Sequence, residues 1–182
     1  MVSDALSELV IPLSKVKIIL LLIGAVVFGL GSVWVWSLAD DQTRFNPLKM
    51  KAVAIANFSF CGLCAIYGYC KVFDTRPGLI IDAQGIVDNS SAVGAGRIPW
   101  DDILALKLTE IAGQRFITIL VAEPHRYAGR GNFLSRMLNA ANTKMTGSPI
   151  NISSNSLRIK LDDLDHVLTQ AFEKHKAAGR TS

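Results

Sequence analysis

Two stretches of this 182-residue chain carry no charge, and they decide most of what it can become. Residues 18–38 read IILLLIGAVVFGLGSVWVWSL, and residues 52–70 read AVAIANFSFCGLCAIYGYC. At ~1.5 Å per helical residue, such runs reach across a hydrocarbon layer ~30 Å thick. Only positions 39–51 separate them, so a transmembrane helical hairpin is predicted over 18–70. A cleaved signal peptide is the competing reading of the first run. It fits less well, because signal peptides have a shorter apolar core and a small-residue cleavage site. Here the first run ends in Trp34 and Trp36, and a second run follows.

The flanks agree with two spans. Trp34 and Trp36 close the first run and Tyr67 and Tyr69 the second, where amphipathic rings favour the membrane–water interfaces. Lys15 and Lys17 precede the first span, and Lys71 and Arg76 follow the second. The loop between the spans holds Arg44, Lys49 and Lys51 beside Asp40 and Asp41. The small excess of basic residues outside the loop favours both termini on the cytoplasmic side. Lys15, Lys17 and Lys71 are then expected, with the four aromatic residues, to anchor the spans at the interfaces.

Composition narrows the rest. Half the residues are apolar, 19% are charged and the mean hydropathy is +0.33, which excludes a disordered chain. Every charged residue lies outside the two runs, so the remainder has the charge density of an ordinary soluble domain, near a quarter. Cys61, Cys64 and Cys70 all fall in the second run, so no disulfide framework exists. The pair Cys61 and Cys64 forms a C-x-x-C, but an apolar span without a nearby cation does not lower a thiol pKa. Packing is the favoured reading over a thiol redox site. Small residues four apart, Ala25 with Gly29, Cys61 with Ala65 and Cys64 with Gly68, let helices approach closely. Asn57 is expected to make an inter-helix hydrogen bond.

Beyond residue 70 the pattern changes to short alternating segments. Residues 78–82, 85–89, 95–100, 103–109, 115–121, 149–152 and 157–159 read as seven short strands. A helix closes the domain over 162–177, where Leu164, Val167, Leu168, Ala171 and Phe172 form one apolar stripe. Asp162, Asp163 and Asp165 in its first turn and Lys174 and Lys176 in its last complement the helix dipole. The expected fold is therefore an α+β membrane protein. An arm over 1–17 and the hairpin precede a mostly antiparallel β-barrel or sandwich, closed by the C-terminal helix over 71–182. The arm is expected to lie extended along the domain or the membrane surface.

Particular residues sharpen that fold. The block PGLIIDAQGIVDNSS (77–91) followed by GRIPWDDI (96–103) resembles bacterial pleckstrin-homology-like domains, whose third strand tends to read apolar-x-Trp-x-Asp-Ile. With the two spans, the stretch GSPINIS (147–153) and the final helix, the chain resembles a bacterial inner-membrane family over almost its full length. The resemblance implies a multi-pass protein of the inner (plasma) membrane with a cytoplasmic domain. It implies no activity, and fold analogy alone does not supply one.

No catalytic pattern is present in the sequence: no G-x-S-x-G, H-E-x-x-H or P-loop. His125, His166 and His175 are scattered, and no cofactor or metal is expected. Asp101 and Asp102 read as turn or capping residues, and Trp100 as a packing residue. The unusual segment is 124–147, a 24-residue interruption of the strands that carries Arg126, Arg130, Arg136 and Lys144 and no acid. Within it Phe133, Leu134, Met137, Leu138 and Ala141 share one face of a predicted helix over 132–142. Such a helix lies on anionic lipid, each basic residue near the surface contributing ~1 kcal/mol, so four approach ~4 kcal/mol. In the competing reading, the helix covers an open end of the barrel and its arginines are merely solvated. Arg126, Arg130, Arg136, Lys144, Phe133 and Met137 are the candidate lipid- or partner-binding residues.

A net charge of +4 without basic–aromatic interleaving excludes nucleic acid as the expected partner. The sequence thus predicts a non-enzymatic membrane-anchored binding module, contacting anionic lipid headgroups, a protein partner or a second copy. An immunity protein guarding the membrane against a toxin is the alternative, and a thiol redox protein a weaker one.

Overall fold

The computed structural model describes residues 8–179 except Ala92 and Asn132, and the side chain of Leu134 is also outside the description. The chain divides into two units, Lys15–Thr75 and the segments on either side of it.

The first unit is a pair of helices, α1 (Lys15–Leu38) and α2 (Pro47–Phe73), both extending beyond the uncharged runs. The reason at α2 is local: Asn46 Oδ1 accepts from Leu48 N (2.9 Å) and Lys49 N (3.3 Å), and Pro47 opens the helix. Gly29 faces Cys61 and Gly68 faces Leu22 at van der Waals distance, so small residues set the closest approaches. Asn57 Nδ2 donates to Ser32 Oγ across the pair at 2.5 Å, as its polarity within an apolar run predicts. Lys51 and Asp40 form an ion pair of 2.6 Å beside the loop. At the opposite end Lys15 Nζ donates to the carbonyls of Lys71 and Asp74, and Lys71 pairs with Asp74 at 3.0 Å. Both helices are long and apolar enough to cross a membrane, and only 17% of each apolar window is buried within the protein.

The second unit contains two antiparallel sheets. The first has β1 (Leu9–Ile11), β2 (Leu79–Asp82), β3 (Gly85–Asp88) and β4 (Gly96–Pro99), in that spatial order. The second has β5 (Ile103–Ile111), β6 (Gln114–Val121) and β7 (Ile150–Ile152), also in sequence order. Two expectations are corrected here. Among the described residues the sheets do not join into a closed barrel. Pro99 ends β4 and a 3-10 turn over Trp100–Asp102 follows, which interrupts the ladder before β5 begins. The seventh strand, moreover, is not 157–159. Leu157 makes a single bridge to Leu13 after the 3-10 turn Ser154–Ser156.

The missing strand comes from the opposite end of the chain. Leu9, Val10 and Ile11 pair with Ile81, Ile80 and Leu79. Pro12, which has no N–H to give, stands just after β1. The segment expected as a separate arm over 1–17 is therefore divided: residues 8–14 belong to the domain unit, and α1 begins at Lys15. Residues 1–7 of that arm lie outside the described residues.

The turn between β2 and β3 is fixed by Asp82, whose Oδ1 accepts from Gln84 N (2.9 Å) and Gly85 N (3.0 Å). Gly85 has φ +151°, and a Cβ there would lie 2.1 Å from the carbonyl oxygen of Ile98, so glycine is required. Between β6 and β7 the chain forms α3 (Pro124–Ala128) and α4 (Phe133–Thr146), a longer helical excursion than the 132–142 segment predicted. The last helix, α5 (Leu161–Gly179), buries Leu164, Leu168, Ala171 and Phe172 against the sheets. Leu79, Ile86 and Ile98 from the first sheet and Ile117, Ile119 and Ile152 from the second share that core. Trp100 belongs to it as predicted: its Nε1 donates to Asp82 O at 2.9 Å, and its ring lies 6.2 Å from that of Phe172.

Candidate functional site

Helix α4 is seated the opposite way from an ordinary amphipathic surface helix. Its polar positions recur at Ser135, Asn139, Asn142 and Thr146, a spacing that places them on one face. Asn139 is 5% exposed, and the other three are half-buried. Its apolar positions turn to solvent: Phe133 is 82% exposed, Met145 61% and Met137 52%.

The seat is polar because the surface beneath it is polar. Ile117 and Ile119 of β6 point into the core, so Thr118 points to the other face, and its β7 partner is Asn151. Thr118 Oγ1 donates to Asn151 Oδ1 at 2.8 Å and shares a hydrogen bond of 2.8 Å with Thr109 Oγ1 on β5. Asn151 Nδ2 donates to Thr146 Oγ1 at 3.3 Å, which carries the network into α4. Ser148 Oγ, just after the helix, donates to Ile119 O at 2.5 Å. Hydroxyl and amide groups thus hold α4 where methyl groups hold α5.

The four basic residues of the insert divide two and two. Arg126 pairs with Asp102 at 3.4 Å. Arg130 Nη1 donates to the carbonyls of Ala95 (2.8 Å) and Arg97 (3.2 Å), and its guanidinium lies 4.3 Å from the ring centroid of Tyr127. These two arginines hold the insert to the domain. Arg136 and Lys144 are exposed on α4, Arg136 with one long bond of 3.5 Å to Gly131 O. The turn into α4 needs Gly131, at φ +85°, where a Cβ would press on the side chain of Ser135 at 2.8 Å.

Tyr127 is the hub under the insert. It is 2% exposed and its hydroxyl donates to Asp102 Oδ2 at 2.5 Å. Burial, then the bond to Asp102, push its phenol up to about 12. Asp102 is more than the turn residue the sequence suggests, since it accepts from both Tyr127 and Arg126. Beneath the start of α4 lies a cavity of about 130 Å³, with Ala95, Tyr127, Arg130, Ser135, Asn139 and Ile150 in its wall. On the turn between β2 and β3, the Arg97 guanidinium bonded to Asp82 (2.9 Å) holds that carboxyl below the usual range.

Of the residues expected at the interfaces, Trp34, Trp36, Tyr67 and Tyr69 project outward from the helix pair. Lys15 and Lys71 tie the end of the pair together through the contacts already described, and Lys17 is half-buried. Sequence reasoning missed Asn139 and Tyr127. The signal for Asn139 was available, because the polar stripe of α4 is as periodic as its apolar one. No family model, no curated protein and no solved structure matches the chain.

Proposed function

We propose that this chain is a non-enzymatic membrane-anchored binding module that lays α4 on an anionic lipid surface. The observation that carries the reading is the inverted seat of α4, which presents Phe133, Met137 and Met145 outward beside Arg136 and Lys144. A soluble helix turned this way exposes apolar surface to water to no benefit, whereas an interfacial helix buries that face among acyl chains. The absence of acidic residues from 124–147 favours anionic lipid as the occupant. With Arg130 turned to the domain and Arg126, though exposed, paired with Asp102, two basic residues are left for lipid and the electrostatic part is about 2 kcal/mol, half what the sequence suggests.

The anchor reading has support of its own. The outward apolar surface of α1 and α2 is unlike that of soluble core helices, which bury most of theirs. β1 and β2 lie on opposite sides of this pair in sequence and yet pair in one sheet. The chain therefore crosses a bilayer an even number of times between them. Cleavage after the first run would remove β1 from its sheet, which disfavours a signal peptide. The basic flanks favour both termini in the cytoplasm, and the family resemblance favours the bacterial inner membrane. The two sheets with α5 support a pleckstrin-homology-like domain whose first strand precedes the anchor.

The test is depth-dependent quenching in the full chain reconstituted into vesicles. A fluorophore is attached through Met137→Cys, or through Glu173→Cys on α5, with Cys61, Cys64 and Cys70 changed to Ser. Brominated anionic lipid is expected to quench at 137 and not at 173, and Arg136→Glu with Lys144→Glu to reduce the quenching. Equal quenching at both positions would overturn the reading. Absence of quenching at 137 with crosslinking from that position to another protein would make the surface a protein-docking site instead.

A further inference from the structure

We infer that the cavity beneath α4 is a binding site for a small phosphate ester of a polyol. Its two polar determinants are unusual together. Asn139 is buried, and its Oδ1 has no hydrogen-bond partner among the described residues. A buried amide oxygen left unpaired is destabilising. The seat of the helix is made instead by Thr146 and its neighbours. A half-turn of the amide exchanges its oxygen and its NH2, and a hydroxyl satisfies either, since it both donates and accepts.

The second determinant is Arg130. Its place is set by Ala95 O, Arg97 O and the Tyr127 ring, and both carbonyl bonds use Nη1 alone. It is held by carbonyls rather than by a carboxylate, and among the described residues no acidic one lines the cavity, so the fixed positive charge favours an anion. Arg130 is half-buried, at the border between wall and surface, whereas Asn139 is deep. The order of groups in the ligand follows: hydroxyls inside toward Asn139, phosphate outside toward Arg130. A cavity of about 130 Å³ is close to the ~150 Å³ that admits benzene, so it takes a three-carbon polyol of comparable size.

Two sources share this chemistry, a phosphatidylglycerol headgroup and free glycerol phosphate. The first rests on the reading that α4 lies on lipid. The experiment is amide hydrogen exchange on the full chain in nanodiscs of three kinds. One is phosphatidylglycerol, one phosphatidylmethanol with the same charge and no hydroxyls, and one phosphatidylcholine with added sn-glycerol 3-phosphate.

Exchange at 93–96 and 135–141 is expected to slow about tenfold in phosphatidylglycerol relative to phosphatidylmethanol, for a ligand near ten times its Kd. Asn139→Leu, which fills the cavity, is expected to abolish the difference. Asn139→Asp, which keeps the shape and repels phosphate, is expected to do the same. Slowing by glycerol phosphate alone, with the two anionic nanodiscs alike, would keep the site and assign it a soluble ligand. Protection of α4 in both anionic nanodiscs, with no response to either polyol source, would overturn the site and leave the lipid-facing helix standing. Slowing that persists in both Asn139 variants would also overturn it.

Discussion

Helices α4 and α5 belong to one domain, are both amphipathic, and face opposite ways. In α5 Leu164, Leu168 and Phe172 enter the core, while in α4 Phe133, Met137 and Met145 leave it. The difference arises in the surfaces they meet. The inner faces of the sheets offer Ile117, Ile119 and Ile152, and the outer side of β6 and β7 offers Thr118 and Asn151. Periodicity establishes that a helix has an apolar face. It does not establish that the face is turned toward the protein.

The sharpest way to break this comparison is to truncate one residue of each stripe. Leu168→Ala is expected to lower unfolding free energy by about 2–5 kcal/mol, because it opens a cavity in a closed core. Met137→Ala is expected to stay within about 0.5 kcal/mol. Urea denaturation of both variants decides it, and equal losses would mean that α4 is buried like α5.

Tyr127→Phe comes next, since it removes a buried hydroxyl from Asp102. A loss of about 1–3 kcal/mol is expected by the same measurement. The effect also has a pH signature. The folded phenol titrates at about 12, above its ordinary value of about 10 in an unfolded chain. The unfolded state therefore releases its proton first, and stability falls as pH rises between those values. The wild type is expected to show this alkaline decline, and Tyr127→Phe to lack its share of it.

A smaller effect separates the two seats. Thr118→Val keeps shape but breaks the link from Thr109 to Asn151, at an expected ~1 kcal/mol. Amide exchange should then quicken in α4 and not in α5. The smallest effect belongs to Asp82 and Arg97, on a turn remote from this contrast. Because the Asp82 carboxyl is held below its ordinary 3.8, the contribution of this pair is present above that value and fades as pH falls through the lower folded one. Asp82→Asn is expected to flatten that acid limb of the melting curve and to leave both helices unchanged.

What the sequence revealed was what neighbours in sequence decide. The two apolar helices, the strands at β2 and β3, and α5 with its leading aspartates are all local patterns, and all are present. The strand β1 was hidden because its partner lies beyond the whole helix pair, and three residues ahead of a proline give little pattern of their own. Segment 157–159 misled for the converse reason. Its alternation is genuine, but it makes only one bridge, to Leu13. At the candidate site the sequence identified the insert and its cations. It did not distinguish Arg126 and Arg130, which bind the domain, from Arg136 and Lys144, which face outward.

The pairing of β1 with β2 also sets a timetable. During synthesis β1 leaves the ribosome first, and its partner follows only after some 70 further residues, both apolar helices among them. At roughly 5–20 residues per second the strand waits several seconds for the sheet it will edge. A long unpaired strand would spend that interval recruiting other chains. β1 has three residues and a proline beside it, so it offers little to recruit with. Its brevity allows the domain to be interrupted by the helices that precede most of it.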